Sequence, residues 1–241
     1  MAKEGFVGEK QGKERDSAGR PQGGCAMRVR SERSVVLESG EVRLRGILGL
    51  PPGAKGIVLF AHGSGSGRLS PRNQFVAGKL NESGLATLLI DLLQESEEGD
   101  RSKVFDIDLL ADRLLLATDW ISRNDETKDL KIGYFGASTG TAAALQAAAK
   151  RGDQISAVVS RGGRPDLAMP YLPRVTAPTL LIVGGEDYPV ITMNEDAYVL
   201  LRHEKEIVIV PGASHLFEEP GKLEEVARLA ESWFKKHLED E

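Results

Sequence analysis

From Ser34 onward the chain alternates short apolar runs with longer amphipathic stretches. Two extended segments come first, Ser34–Leu37 and Val42–Leu50, joined at Ser39–Gly40. In the second, Val42 and Leu44 alternate with Arg43 and Arg45, the pattern of an antiparallel strand with one wet face. Pro51–Pro52–Gly53 ends it. Continuous apolar runs then predict buried strands at Gly56–Ala61, Ala86–Leu92, Lys131–Ala137, Ile155–Ser160, Thr179–Val183 and Glu206–Val210. Between them, helical spacing predicts helices over Asn73–Asn81, Asp106–Ser122, Thr139–Lys150, near Ile191–Arg202, and over Lys222–Leu238. Asp106 is placed to cap the second of these. Val/Ile/Leu strands alternating with helices mean an α/β fold: a mainly parallel sheet of about seven or eight strands with helices on both faces.

Residues 1–28 break this pattern. Met1 to Met27 is polar, carries six glycines and mixes lysines with acids. It lacks the apolar stretch of a signal peptide, and its acids argue against a transit peptide. The expectation is a disordered tail over 1–28, a single domain over 29–241, and Met27 as the natural start. A 241-residue chain with 41% hydrophobic and 28% charged residues suits one globular domain. The net charge of -5, with both signs spread along the chain, offers no basic face for nucleic acid. The apolar runs are strand-length, well short of the roughly 20 residues that cross a membrane. A cytoplasmic protein, monomer or homodimer, is expected. The single cysteine, Cys25, lies far from every motif below and has no internal disulfide partner.

In open parallel sheets chemistry gathers where strands end. The strand Lys131–Ala137 runs into Gly136-Ala137-Ser138-Thr139-Gly140 and then a helix. This is G-x-S-x-G in the strand–turn–helix setting of a nucleophile elbow, whose crowding demands small residues two places either side of the serine. A serine hydroxyl needs a base. Of four histidines, His203 and His237 sit at polar helix ends and read as solvated, while His62 precedes a glycine-rich turn and reads as structural. His215, after the last strand in Gly212-Ala213-Ser214-His215, is the candidate base. Asp187, at the end of Thr179–Val183, is the candidate orienting acid, with Glu186 its rival. The order Ser138, Asp187, His215 is that of α/β-hydrolases. The turn His62-Gly63-Ser64-Gly65-Ser66-Gly67 follows a buried strand and suits an oxyanion hole, with the Thr139 and Ser64 amides as donors.

On these motifs the sequence resembles the α/β-hydrolase superfamily, and within it the dienelactone-hydrolase-like branch, from about Val35 to Leu238. The resemblance rests on HGSGSG at His62–Gly67, GASTG at Gly136–Gly140, GGED at Gly184–Asp187 and GASH at Gly212–His215. It implies the same fold and hydrolysis of an ester or lactone without metal or organic cofactor. Typical dienelactone hydrolases use a cysteine; Ser138 stands here instead, which points away from dienelactone itself. Ser160–Ala168 (SRGGRPDLA) resembles a subgroup in which some members carry a phosphoribosyltransferase domain, for which 241 residues leave no room.

Only Arg164–Pro178 separates two neighbouring strands, so no large lid domain is expected and the site should be open, flanked by Gln94–Val104. Arg161 and Arg164 follow a strand end. Arg161 is the candidate holder of an anionic group on a small-molecule ester substrate, against a structural ion pair with a residue such as Asp166. Arg68 and Arg72 are weaker candidates. Acyl transfer or perhydrolysis on the same triad, or a non-catalytic binding protein on this scaffold, are the competing functions.

Overall fold

The computed structural model describes residues 32–239; the expected tail, with Cys25 and Met27, lies outside the described residues. Eight strands form one sheet: β1 (Glu32–Ser39), β2 (Val42–Gly49), β3 (Gly56–Ala61), β4 (Ala86–Ile90), β5 (Lys131–Ala137), β6 (Ile155–Arg161), β7 (Thr179–Gly184) and β8 (Lys205–Val210). Their order is β1-β2-β4-β3-β5-β6-β7-β8. β1 and β2 pair antiparallel, as do β2 and β4, and every other pairing is parallel.

The helices are α1 (Pro71–Glu82), α2 (Arg101–Val104), α3 (Ile107–Arg123), α4 (Thr139–Arg151), α5 (Tyr188–Leu200) and α6 (Lys222–Leu238). Asp106 caps α3 as expected, its Oδ1 accepting from the Leu109 N–H at 3.0 Å. Two details differ from the sequence reading. The short α2 sits within Gln94–Val104, capped by Asp100. α5 starts at Tyr188, three residues before the predicted Ile191, because Pro189 sits in its first turn, where a missing N–H costs nothing. Arg164–Pro178, where no lid domain was expected, holds two 3-10 turns, Pro165–Ala168 and Leu172–Arg174.

Strand side chains alternate between two cores. Along β3, Ile57, Leu59 and Ala61 join a cluster with α3 and α4, whereas Val58 and Phe60 join one with α1 and α6. Both faces are thus covered, which explains runs with no polar alternation. The alanines of α4 let that helix lie close on the sheet while α3 packs over it; Ala142, Ala143, Ala144, Ala147 and Ala148 are all buried. On the other face Phe60 and Phe135 meet at 4.8 Å between ring centres. There α6 seats Phe234 over Gly133, where a Cβ would come within 2.7 Å of the ring. His237, expected in solvent, is only 11% exposed in its side chain and packs edge-on against Trp233, since the last turn of α6 remains on the sheet.

Phe234→Ala removes a fully buried ring from a face that cannot collapse around Gly133. It is expected to cost about 3–5 kcal/mol, read as a lower urea midpoint at unchanged m-value. A loss below about 1 kcal/mol would show that α6 does not hold this face.

Candidate active site

β3, β5, β6, β7 and β8 run parallel, so the segments following them share one edge of the molecule. The five are consecutive neighbours in the sheet, and each delivers one predicted part of the site. β3 gives the His62–Gly67 turn, β5 gives Ser138, β6 gives Arg161, β7 gives Asp187 and β8 gives His215.

Ser138 sits between β5 and α4 with φ 49°, one of two non-glycine residues with positive φ among the described residues. This is the left-handed region that side chains avoid. The surroundings enforce it. The Ser138 N–H donates to Arg161 O, while the Thr141 and Arg164 amides both donate to Ser138 O. A Cβ on Gly136 would come within 2.5 Å of Thr141 Cα, and one on Gly140 within 2.2 Å of Ala61 O. Both flanking glycines are therefore steric necessities.

The β8 loop folds back over the ends of β7 and β6 to bring His215 to the serine. It passes close: a Cβ on Gly184 would lie 2.4 Å from Ala213 O, and one on Gly162 would lie 3.0 Å from His215 O. The Ser214 amide donates to Glu219 Oε2, and buried Phe217, at φ 57°, anchors the far side. His215 Nδ1 meets Asp187 Oδ2 at 2.6 Å. Glu186 is turned outward, accepting from the Tyr188 hydroxyl at 3.2 Å. Asp187 precedes α5 without capping it, which leaves its carboxylate for the imidazole. Ser138 and His215 line the same cleft, of about 260 Å³, with no hydrogen bond between them in this structure. Such bonds often tighten only with substrate bound.

The turn after β3 abuts the elbow: a Cβ on Gly63 would come within 2.9 Å of Ser138 Cβ. His62 supports it. Its Nδ1–H donates to Gly63 O at 2.9 Å, and its Nε2 accepts from the Leu92 amide at 2.9 Å. Both ring nitrogens are occupied, and burial holds the ring neutral by pushing its pKa down. The Ser64 amide, expected to face an oxyanion, instead donates to Thr139 Oγ1 at 2.9 Å. It adjoins the start of α4, but a bound oxyanion would have to compete with that hydroxyl. Thr139 opens α4, so its own N–H has no partner within the helix.

A second cleft of about 540 Å³ opens on the other side of the turn, walled by Leu69, Leu93, Val104 and Leu110, so the Gln94–Val104 segment does flank the site. The arginines separate. Arg164 pairs with Asp166 at 2.8 and 2.7 Å, Arg68 with Asp91, and Arg72 with Glu218 at 2.9 Å. The acid considered for Arg161 is thus taken by Arg164, and Arg161 makes no ion pair among the described residues. Among those residues no group of three His, Cys, Asp or Glu is placed to hold a metal ion. No helix among the described residues is long and apolar enough to cross a membrane.

Two supports escaped the sequence reading. Gly162 admits the His215 loop, Gly163 fits against the Ser160 and Thr141 side chains, and Asn194, fully buried in α5, ties that turn down by donating to Gly163 O at 3.0 Å. Paired glycines after a strand, and a polar residue in line with Val190 and Ala197, are the signals that mark them.

Residues 44–239 match the model of the dienelactone hydrolase family. The chain belongs to the dienelactone hydrolase family. It is 60% identical to a dienelactone hydrolase from Anabaena variabilis, covering 87% of this chain and 99% of that one, with a TM-score of 0.85. Est1E from Butyrivibrio proteoclasticus shares the fold at 16% identity, with a TM-score of 0.73 over 84% of this chain and 98% of that one. A protein of Mycobacterium tuberculosis named "Putative phosphoribosyl transferase" is 53% identical over 207 residues, 86% of this chain but 47% of the relative. The chain therefore spans about half the length of the curated relatives it matches so closely.

Because burial keeps His62 neutral while the unfolded chain protonates near 6.5, the unfolded state gains protons first as pH falls. The stability this contributes is complete above pH 6.5 and lost below it, with His237, also pushed down by burial, acting in the same sense. His62→Gln is expected to flatten the fall in melting temperature just below pH 6.5. An unchanged slope would show that His62 titrates freely.

Proposed function

We propose that this protein is a serine hydrolase that cleaves carboxylic ester bonds, including lactones and thioesters, of small substrates through Ser138, His215 and Asp187. The observation that carries this reading is the 2.6 Å contact of Asp187 Oδ2 with His215 Nδ1, beside a left-handed Ser138 in the same cleft. Family membership supports a hydrolase.

In the first step His215 Nε2 takes the Ser138 proton as Oγ attacks the carbonyl carbon. The Asp187 carboxylate fixes the tautomer with the proton on Nδ1 and stabilises the imidazolium. Charge on the carbonyl oxygen is met by the Thr139 amide, aided by the positive end of α4, and by the Ser64 amide once it leaves Thr139 Oγ1. Each donor is worth roughly 3–4 kcal/mol. The imidazolium then protonates the leaving alcohol, and an acyl-Ser138 remains. Water, deprotonated by His215, attacks it; the proton returns to Oγ as the acid departs. The shortness of the Arg164–Pro178 connection supports small, varied acyl groups. Phosphoribosyl transfer, named for the longer mycobacterial relatives, needs no serine elbow or oriented histidine, so it is not the reading adopted. We propose further that the protein acts in the cytoplasm, alone or as a homodimer, on a small molecule rather than on a membrane or nucleic acid.

Short-chain p-nitrophenyl esters are the test. Hydrolysis by the wild type should disappear with Ser138→Ala, along with labelling by a fluorophosphonate. Asp187→Asn should lower kcat by about 10⁴. Wild-type protein that neither hydrolyses any ester of the series nor reacts with the probe would sink the proposal in favour of a binding role.

A further inference from the structure

Arg161 differs from the other arginines around the cleft. Its residue is 7% exposed, yet its Nε has no hydrogen-bond partner. Among the described residues the one hydrogen bond of its guanidinium is long, from Nη2 to Asn73 Oδ1 at 3.4 Å. Burial first, and then the like charge of Arg72, push its pKa down to about 10. A guanidinium at that value is still charged at neutral pH. A buried cation without an acid is costly. Arg161 lines the cleft that holds Ser138 and His215, beside Arg72, Ser66 and Ser70. A second arginine nitrogen there, Arg72 Nε, is also buried without a partner.

Resting on the hydrolase reading, we propose that Arg161, Arg72 and the first turn of α1 form a subsite for a phosphate group, so that the ester cleaved at Ser138 belongs to a molecule that also carries a phosphate monoester. The charge balance favours phosphate over carboxylate. Arg72 is offset on its outer side by exposed Glu218, which leaves the full charge of Arg161. The start of α1 adds about half a positive charge, and no acid occupies its first turn to cancel it. A phosphate monoester carries about −1.5 to −2 at neutral pH and matches this, where a carboxylate would leave positive charge uncovered. The Ser66 and Ser70 hydroxyls add neutral donors to the wall. The adjoining cleft, with Leu69, Leu93, Val104 and Leu110, is the apolar counterpart on the far side of the Gly63–Ser66 turn.

Binding can be read without catalysis. Melting temperatures of the full chain would be measured with rising inorganic phosphate, and with acetate, at ionic strength held constant with chloride. Phosphate should raise the melting temperature of the wild type and of Ser138→Ala equally, and acetate should do little. Arg161→Met should melt a few degrees higher than wild type without phosphate, because a buried unpaired charge is gone, and should lose the phosphate response. Arg161→Lys, which keeps the charge but not the fork, and Arg72→Gln should each weaken apparent phosphate affinity about tenfold. Phosphate should also inhibit wild-type p-nitrophenyl acetate hydrolysis competitively. A phosphate response that survives in Arg161→Met, or non-competitive inhibition, would overturn the subsite. An Arg161→Met protein that melts lower and keeps its response would make Arg161 a structural residue. Acetate acting as strongly as phosphate would replace the phosphate assignment with a carboxylate. A phosphate response in an otherwise inactive protein would leave this subsite standing while the hydrolase reading fell.

Discussion

The rest of the site depends on a backbone constraint: one serine held at positive φ where the central strand β5 gives way to α4. A left-handed non-glycine residue costs of order 1–3 kcal/mol and persists only where its neighbours leave no alternative. Here the neighbours are Arg161 and Arg164 at the end of β6, which clasp Ser138 from one side, and the Ala61–Gly63 backbone, which crowds it from the other. The elbow is thus determined by the strands flanking β5, and the same clasp fixes where β6 releases Arg161. The strain and the position of the guanidinium are parts of one arrangement.

Elsewhere the buried charges are paired, although single buried atoms such as Arg113 Nε, Thr176 Oγ1 and Asn194 Oδ1 also lack partners. Arg113 meets Glu97 at 3.0 Å, His62 uses both ring nitrogens, and Tyr134 shares a 2.6 Å bond with Thr118. Against this background Arg161 is a departure, and it lies in the cleft rather than in the core. Marginally stable folds tolerate such a cost where a site needs the group more than the fold does. The apolar cores on both sheet faces, which Arg161 does not enter, supply the stability that offsets it.

Much of the fold was legible because period-two and period-3.6 patterns are local. The runs Gly56–Ala61, Lys131–Ala137 and Lys222–Leu238 match the observed elements to the residue. Boundaries slipped where local rules compete, as at α5, where Pro189 starts a helix earlier than its apolar positions suggest. His237 was misjudged because a polar helix end says nothing of what the helix lies against. The site was legible in kind: G-x-S-x-G must crowd its serine, and a histidine and an acid at strand ends must share an edge in a parallel sheet.

What the sequence determined by itself was therefore the chemistry on offer and the edge of the sheet where it gathers, since both follow from residue type and chain direction. Tertiary structure decided the pairings. It placed Asp187 rather than Glu186 on His215, engaged the Ser64 amide with Thr139, and gave Asp166 to Arg164 instead of Arg161. Each choice turns on which of two nearby groups comes within about 3 Å in the right direction. That distance is set by how loops from β6, β7 and β8 cross one another, not by the spacing of residues along any one of them.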